Sequence, residues 1–137
     1  MSEIEFKRMI KEKFTKTGAM VSHFEPNIGS TPGVPDSLVS WGIEEFWLEL
    51  KVTDKIPTVG LVWNDLLRPA QKRWIKQRYT VYEMDDDQLV PYFVAVESPF
   101  GIWLYIYSIF RGGLKLQMEE ASLAKLVNHF KKVCGVG

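Results

Sequence analysis

E-E-F-W-L-E-L-K-V, residues Glu44 to Val52, decides how this chain is read. A short run rich in large apolar and aromatic side chains, with an alternating pattern, marks a β-strand, here from Glu45 to Val52. Successive side chains on a strand point to opposite faces. Phe46, Leu48, Leu50 and Val52 therefore share one face, and Glu45, Trp47, Glu49 and Lys51 share the other. Glu49 and Lys51 project together, about 6–7 Å apart along the strand. Taken alone, that pattern fits a solvated outer face carrying a weak ion pair.

The residues upstream weigh against the solvated reading. Asp36 follows G-V-P, Gly33 to Pro35, and opens a second strand that reads from Asp36 to Trp41. Gly42 supplies a turn between the two strands. If they pair antiparallel about Gly42, Asp36 and Glu49 approach one another near the open end. Two converging carboxylates repel unless a cation lies between them. A hard divalent ion such as Mg²⁺ takes oxygen ligands and keeps several waters. A lysine beside it suits a phosphate or an attacking hydroxide.

Working outward, residues 3–16 place Phe6, Met9, Ile10 and Phe14 at helical spacing, with Ser2 as N-cap and Gly18 as the stop. Residues 19–25 read as a first strand and 27–35 as a loop. Residues 53–67 read as irregular. Pro69 opens a helix over 69–78, since proline is favoured in a first turn. E-M-D-D-D-Q, 83–88, reads as an acidic, solvated loop. Strands starting at Tyr92 and Gly101 form a hairpin turning at Ser98-Pro99-Phe100-Gly101. A last amphipathic helix covers 119–133. The order of helix, three strands, helix, two strands, helix predicts one α/β domain over 1–137, a mixed central sheet flanked by helices.

P-D followed by E-L-K resembles the signature of the PD-(D/E)xK nuclease superfamily. The fuller set, G-V-P-D…F-W-L-E-L-K-V…L-R-P-A-Q-K-R-W-I, is most similar to the Holliday-junction-resolvase-like and VRR-NUC branch, particularly its small phage enzymes. The resemblance spans about residues 3–78 and implies a restriction-endonuclease-like core, which the hairpin and helix of 91–133 complete. It implies that Asp36 and Glu49 hold Mg²⁺, with Mn²⁺ as substitute, and that the backbone carbonyl of Leu50 is a third ligand. It implies that Lys51 is the catalytic lysine and that Gln71 is the glutamine often found on the following helix. That branch often carries an acid on its first helix. Glu3 lies nearer than Glu5 to the direction of Phe6, Ile10 and Phe14, so Glu3 is expected to fill the role. Arg68 stands where a capping serine is usual.

Gln71 also stands out without the resemblance. On a helix, Gln71, Trp74, Ile75 and Arg78 fall on one face. An amide on an apolar face needs a partner, either local backbone or a second polar group.

Charge is 25% of the chain and sums to zero, but it is unevenly placed. Arg68, Lys72, Arg73, Lys76 and Arg78 put five cations and no anion on the second helix and its lead-in. Lys11 belongs to a basic first helix, and Glu83 to Asp87 balance the sum elsewhere. Basic surface beside a metal site suits a polyanionic backbone. These six cations are the expected DNA contacts. The chain has one cysteine, Cys134, so an internal disulfide and a multi-cysteine zinc cluster are excluded. No apolar run approaches the ~20 residues a membrane helix needs, and a cytoplasmic protein is expected.

The expected function is a Mg²⁺-dependent DNA endonuclease. A branched substrate such as a Holliday junction follows from the resemblance alone. Symmetric cleavage of a junction needs two active sites and hence a homodimer. Alternatives are a nickase or repair nuclease, a DNA-binding module of the same fold without activity, and a metal-free interaction protein whose E-L-K strand is a half-exposed sheet edge.

Overall fold

The computed structural model describes residues 1–23, 32–42, 44–79 and 90–135. The acidic run expected at 83–88 lies outside them, as does the end of the strand expected over 19–25. Six strands form one sheet in sequence order: β1 (Met20–His23), β2 (Ser37–Trp41), β3 (Glu44–Val52), β4 (Tyr92–Ser98), β5 (Gly101–Ser108) and β6 (Gly113–Ala121). All neighbours are antiparallel except β3 and β4, which are parallel. A parallel pair needs a long crossover. Here it is carried by residues 53–91, which include α2 (Val59–Leu61), a π-helical stretch (Val62–Leu66) and α3 (Pro69–Arg78).

Helices cover both faces. On one lie α1 (Glu3–Lys16) and α4 (Leu123–Val133). The side chain of Ser2 accepts from the Glu5 amide at 3.1 Å and caps α1. Its stripe of Phe6, Ile10 and Phe14 is fully enclosed. Phe14 meets Trp41, Phe46 and Phe130, and the rings of Phe46 and Phe130 stack at 4.3 Å. Burying each such ring contributes about 1.5–3 kcal/mol. The opposite face packs Val94, Val96, Trp103 and Tyr105 under the crossover, against Val62, Leu67 and Ile75. Both faces of β4 are thus covered, which explains its unbroken Y-F-V-A-V run.

Two expectations are corrected. Residues 53–67 are not irregular throughout: Thr58 caps α2 through the Leu61 amide, and the π-helical stretch buries Val62. The last helix does not start at 119. Residues 113–121 form a sixth strand at the sheet edge, and Ser122 caps α4 through the Lys125 amide. L-K-L-Q-M has the two-residue period of a strand, but its largely exposed side chains hide that period behind the adjoining acids.

Candidate active site

β3 is an interior strand, with β2 on one side and β4 on the other. Its E-L-K segment runs past the last β2 rung and is ladder-paired with β4 alone, yet it is buried, not a half-exposed edge. Nor is its polar face solvated. Glu49 is 2% exposed and Lys51 6%, beneath the helical crossover. Ionised groups are almost never enclosed this far without partners, so the arrangement around them carries the chemistry.

The geometry follows from register. Ser37 pairs with Leu48 as the last rung between β2 and β3. On the β4 side, the Trp47 amide donates to the carbonyl of Pro91, just before β4, at 2.8 Å, and the Thr53 amide to that of Glu97 at 2.9 Å. A strand residue sends its N–H and C=O to the same side, so Leu48 and Leu50 face β2. Beyond the last rung, Asp36 takes the place of a strand residue. The Leu50 amide donates to Asp36 Oδ2 at 2.8 Å, and the Asp36 amide donates to Glu49 Oε2 at 3.2 Å. The Leu50 carbonyl points into the same corner. Two carboxylates and a main-chain carbonyl thus converge where β2 ends.

α3 closes the corner from above. Gln71 Nε2 donates to Glu49 Oε1 at 2.8 Å, and Gln71 Oε1 accepts from the Arg68 amide at 2.8 Å. The glutamine is 2% exposed. It fills the N3 position of α3, where a Gln or Glu can reach back to the N-cap amide. An arginine side chain has no acceptor to offer, so Gln71 alone makes this cap and reaches the acid at the same time. The loop before Asp36 docks on the same helix. Gly33 has φ +86°, and a Cβ there would sit 2.1 Å from the Ala70 carbonyl oxygen.

Cations surround the acids. Lys51 Nζ lies 3.9 Å from Glu49 Oε1. Lys7 of α1 reaches Asp36 Oδ1 at 3.2 Å. His23, ending the described part of β1, has Nδ1 2.5 Å from Ser37 Oγ. Burial, then Lys7 and Lys11, push its imidazole below the ordinary value. Burial and the neighbouring Asp36 charge hold Glu49 well above the usual carboxylate range, against the opposing pull of Lys51. Burial, followed by the charges of Glu49 and Asp36, also raises the Tyr92 phenol.

Of the residues singled out from sequence, Asp36, Glu49, Leu50, Lys51 and Gln71 come together. Glu3 does not join them: it is exposed, and no hydrogen bond or ion pair among the described residues ties it to the acids. Lys7, one turn later, is the α1 residue that touches Asp36. Lys11 is exposed on α1, and Arg68, Arg73, Lys76 and Arg78 are exposed on or before α3, with Lys72 half-buried. Lys7 and His23 carried no sequence signal of their own, since only tertiary packing brings them to Asp36.

The donor set fits a hard divalent cation. Among the described residues no group of three or more His, Cys, Asp or Glu side chains is arranged to hold a metal. The corner offers two carboxylates with unused lone pairs and a carbonyl, leaving the remaining positions for water, as Mg²⁺ prefers.

No protein-family model matches the sequence, and no curated protein matches it. Among solved structures the chain is similar to Archaeoglobus fulgidus Hjc, a Holliday junction resolvase from an archaeal hyperthermophile. The TM-score is 0.54, at 13% identity, covering 90% of this chain and 98% of that one. The chain therefore has an α/β fold like that of the resolvase, a mixed six-stranded sheet between helices.

Proposed function

We propose that this chain is a Mg²⁺-dependent DNA endonuclease of the PD-(D/E)xK superfamily that hydrolyses phosphodiester bonds in branched DNA. On this reading it is close to the small phage-type enzymes of the Holliday-junction-resolvase-like and VRR-NUC branch. The observation that carries the reading is the joining of Asp36 to Glu49 through the Asp36 amide, with Lys51 enclosed beside them. The likeness of fold to a resolvase supports it.

Asp36, Glu49 and the Leu50 carbonyl would hold Mg²⁺, or Mn²⁺ in its place. The ion supplies Lewis-acid polarisation of the phosphoryl group when bound. Gln71 fixes the rotamer of Glu49, and the Leu50 amide fixes that of Asp36. Lys51 offers an ammonium to the attacking water or to the charge that develops on phosphorus. Arg68, Lys72, Arg73, Lys76, Arg78 and Lys11 supply cations for the DNA backbone. Cleavage on both sides of a four-way junction would use two copies of the chain. Work on DNA would put the enzyme in the cytoplasm; no helix among the described residues is long and apolar enough to cross a membrane.

One observation favours a second reading. The Lys7 ammonium already neutralises Asp36, 3.2 Å from Oδ1. A module that binds DNA without cutting it would use such a lysine in place of a metal. Cleavage assays on linear, nicked, single-stranded and four-way DNA, run beside gel-shift binding, separate the two. The nuclease cuts with Mg²⁺ or Mn²⁺, and Asp36→Ala or Lys51→Ala abolishes cutting while DNA is still bound. Undiminished cleavage by Asp36→Ala would end the assignment, and binding without cleavage at any metal concentration would establish the module.

A further inference from the structure

The polar face of β3 continues away from the acids. Trp47 lies two residues before Glu49 on the same face, about 6.7 Å along the strand. Trp74 of α3 packs against it, with ring centroids 5.3 Å apart at 78°. Arg78, one turn further along α3, lays its guanidinium over both indoles. Its Cζ is 5.3 Å from the Trp47 centroid and 5.2 Å from that of Trp74.

An exposed arginine ordinarily keeps its rotamer freedom, and fixing it costs about 2 kcal/mol. Here two ring contacts offset that cost, since each cation–π contact contributes about 0.5–1 kcal/mol at an exposed site. The two ring planes are 78° apart, so the guanidinium can lie flat on one of them at most, and stacking on one face leaves its N–H edge available for a bidentate acceptor. Among the described residues no carboxylate takes that edge: the ion pairs are Lys7 with Asp36 and Lys51 with Glu49. Lys76 is differently placed, over Trp63 at 5.8 Å.

Placement gives the fixed guanidinium a purpose. Gln71 and Arg78 are seven residues apart on one stripe of α3, about 10.5 Å. Gln71 touches Glu49 and Arg78 touches Trp47, so helix and strand run side by side from the acids to the arginine. The separation of about 7–11 Å is on the scale of neighbouring phosphates on one strand, which lie farther apart through space than the about 3.4 Å per nucleotide of axial rise. The neighbouring sheet surface is open: Leu38 stands opposite Trp47, and beyond it Ser22 of β1 is exposed.

We propose that Arg78, held between Trp47 and Trp74, is a subsite for one backbone phosphate close to the phosphate that is cut. Its distance from the cut rests on the nuclease reading; its affinity for a phosphodiester does not. The test is DNA binding by fluorescence anisotropy without divalent metal, over a series of salt concentrations. Each phosphate contact contributes about 0.9 to the slope of log affinity against log salt. Arg78→Ala should lower that slope by about 0.9 and weaken low-salt binding about tenfold. Arg78→Lys should keep the slope, having kept the charge, and still bind more weakly, having lost the planar fork. Trp74→Leu should behave like Arg78→Lys. Lys125→Ala, on α4 across the sheet, should change neither quantity. An unchanged slope in Arg78→Ala, or an equal drop in Lys125→Ala, overturns the subsite. Wild-type protein that binds DNA through Arg78 but cuts nothing would refute the nuclease reading and leave the subsite standing.

Discussion

Gly33→Ala tests the joint that brings the acids under α3. Gly33 sits at φ +86°, where an L side chain is strained, and its Cα faces the first turn of α3. An added Cβ would lie 2.1 Å from the Ala70 carbonyl oxygen and 2.5 Å from its carbon. Ordinary contact begins near 3.4 Å, so loop and helix must separate by about 1.3 Å, the difference between 3.4 and 2.1 Å. The left-handed backbone costs about 1–2 kcal/mol with a Cβ present. Forced repacking of a tight contact adds roughly 1–3 kcal/mol. A loss of about 2–5 kcal/mol is expected, read as a lower urea midpoint at constant slope. The displacement also reaches Asp36, three residues on, and Gln71, one residue after Ala70. A 1 Å misplacement at a reacting centre costs on the order of 10²-fold in rate. On the proposed nuclease reading, cleavage measured where the variant is still folded should therefore fall about a hundredfold. A variant with wild-type midpoint and rate would show that the loop does not rest on α3, and the account of how Asp36 is positioned would fail with it.

Two further outcomes follow from the same corner. Gln71→Leu removes the hydrogen bonds to Glu49 Oε1 and from the Arg68 amide, and about 1.5–3 kcal/mol should be lost in urea denaturation; a loss below about 0.5 kcal/mol would show that Gln71 neither caps α3 nor holds Glu49. Glu49 titrates above its ordinary value of 4.5 because it is buried beside Asp36, so between 4.5 and its raised value the native state binds more protons than the unfolded chain. Its contribution is then full below 4.5 and is lost as pH rises through the raised value. Denaturation in the presence of a chelator should show stability falling with pH over that window, and Glu49→Gln should flatten the curve; an unchanged curve in Glu49→Gln would place the titration elsewhere.

What the sequence revealed and what it concealed divide along physical lines. The E-L-K strand was legible because the two-residue period by itself separates Glu49 and Lys51 from Leu48 and Leu50. α3 was legible from Pro69, and Gln71 from its place on an apolar stripe. These signals are local. Lys7 looked like one of several cations off the apolar stripe of α1, and only the packing of α1 beside β1 and β3 sets it against Asp36. His23 needed the pairing of β1 with β2 to meet Ser37. The grip of Trp47 and Trp74 on Arg78 needed α3 laid along β3. β6 escaped for the opposite reason: its period was visible, but an edge strand with exposed charges lacks the apolar contrast that usually announces one.

The charges explain why α1 presents a lysine to the corner. Without metal, Lys7 and Lys51 and the proton that Glu49 keeps above its ordinary range relieve the repulsion of the two acids. With Glu49 ionised, Asp36, Glu49, Lys7 and Lys51 sum to zero. On the proposed reading, a divalent cation leaves the four side chains and the ion together at +2. DNA supplies the matching anions, one phosphate to be cut and another beside it. Lys7 would then exchange Asp36 for a phosphate oxygen as the ion arrives, so metal and DNA should each strengthen binding of the other. An acid in that position would help the metal but repel the phosphate. Reciprocal tightening is therefore a consequence of the charge count, and it depends on Lys7 being free to leave Asp36, which its half-buried position on α1 allows.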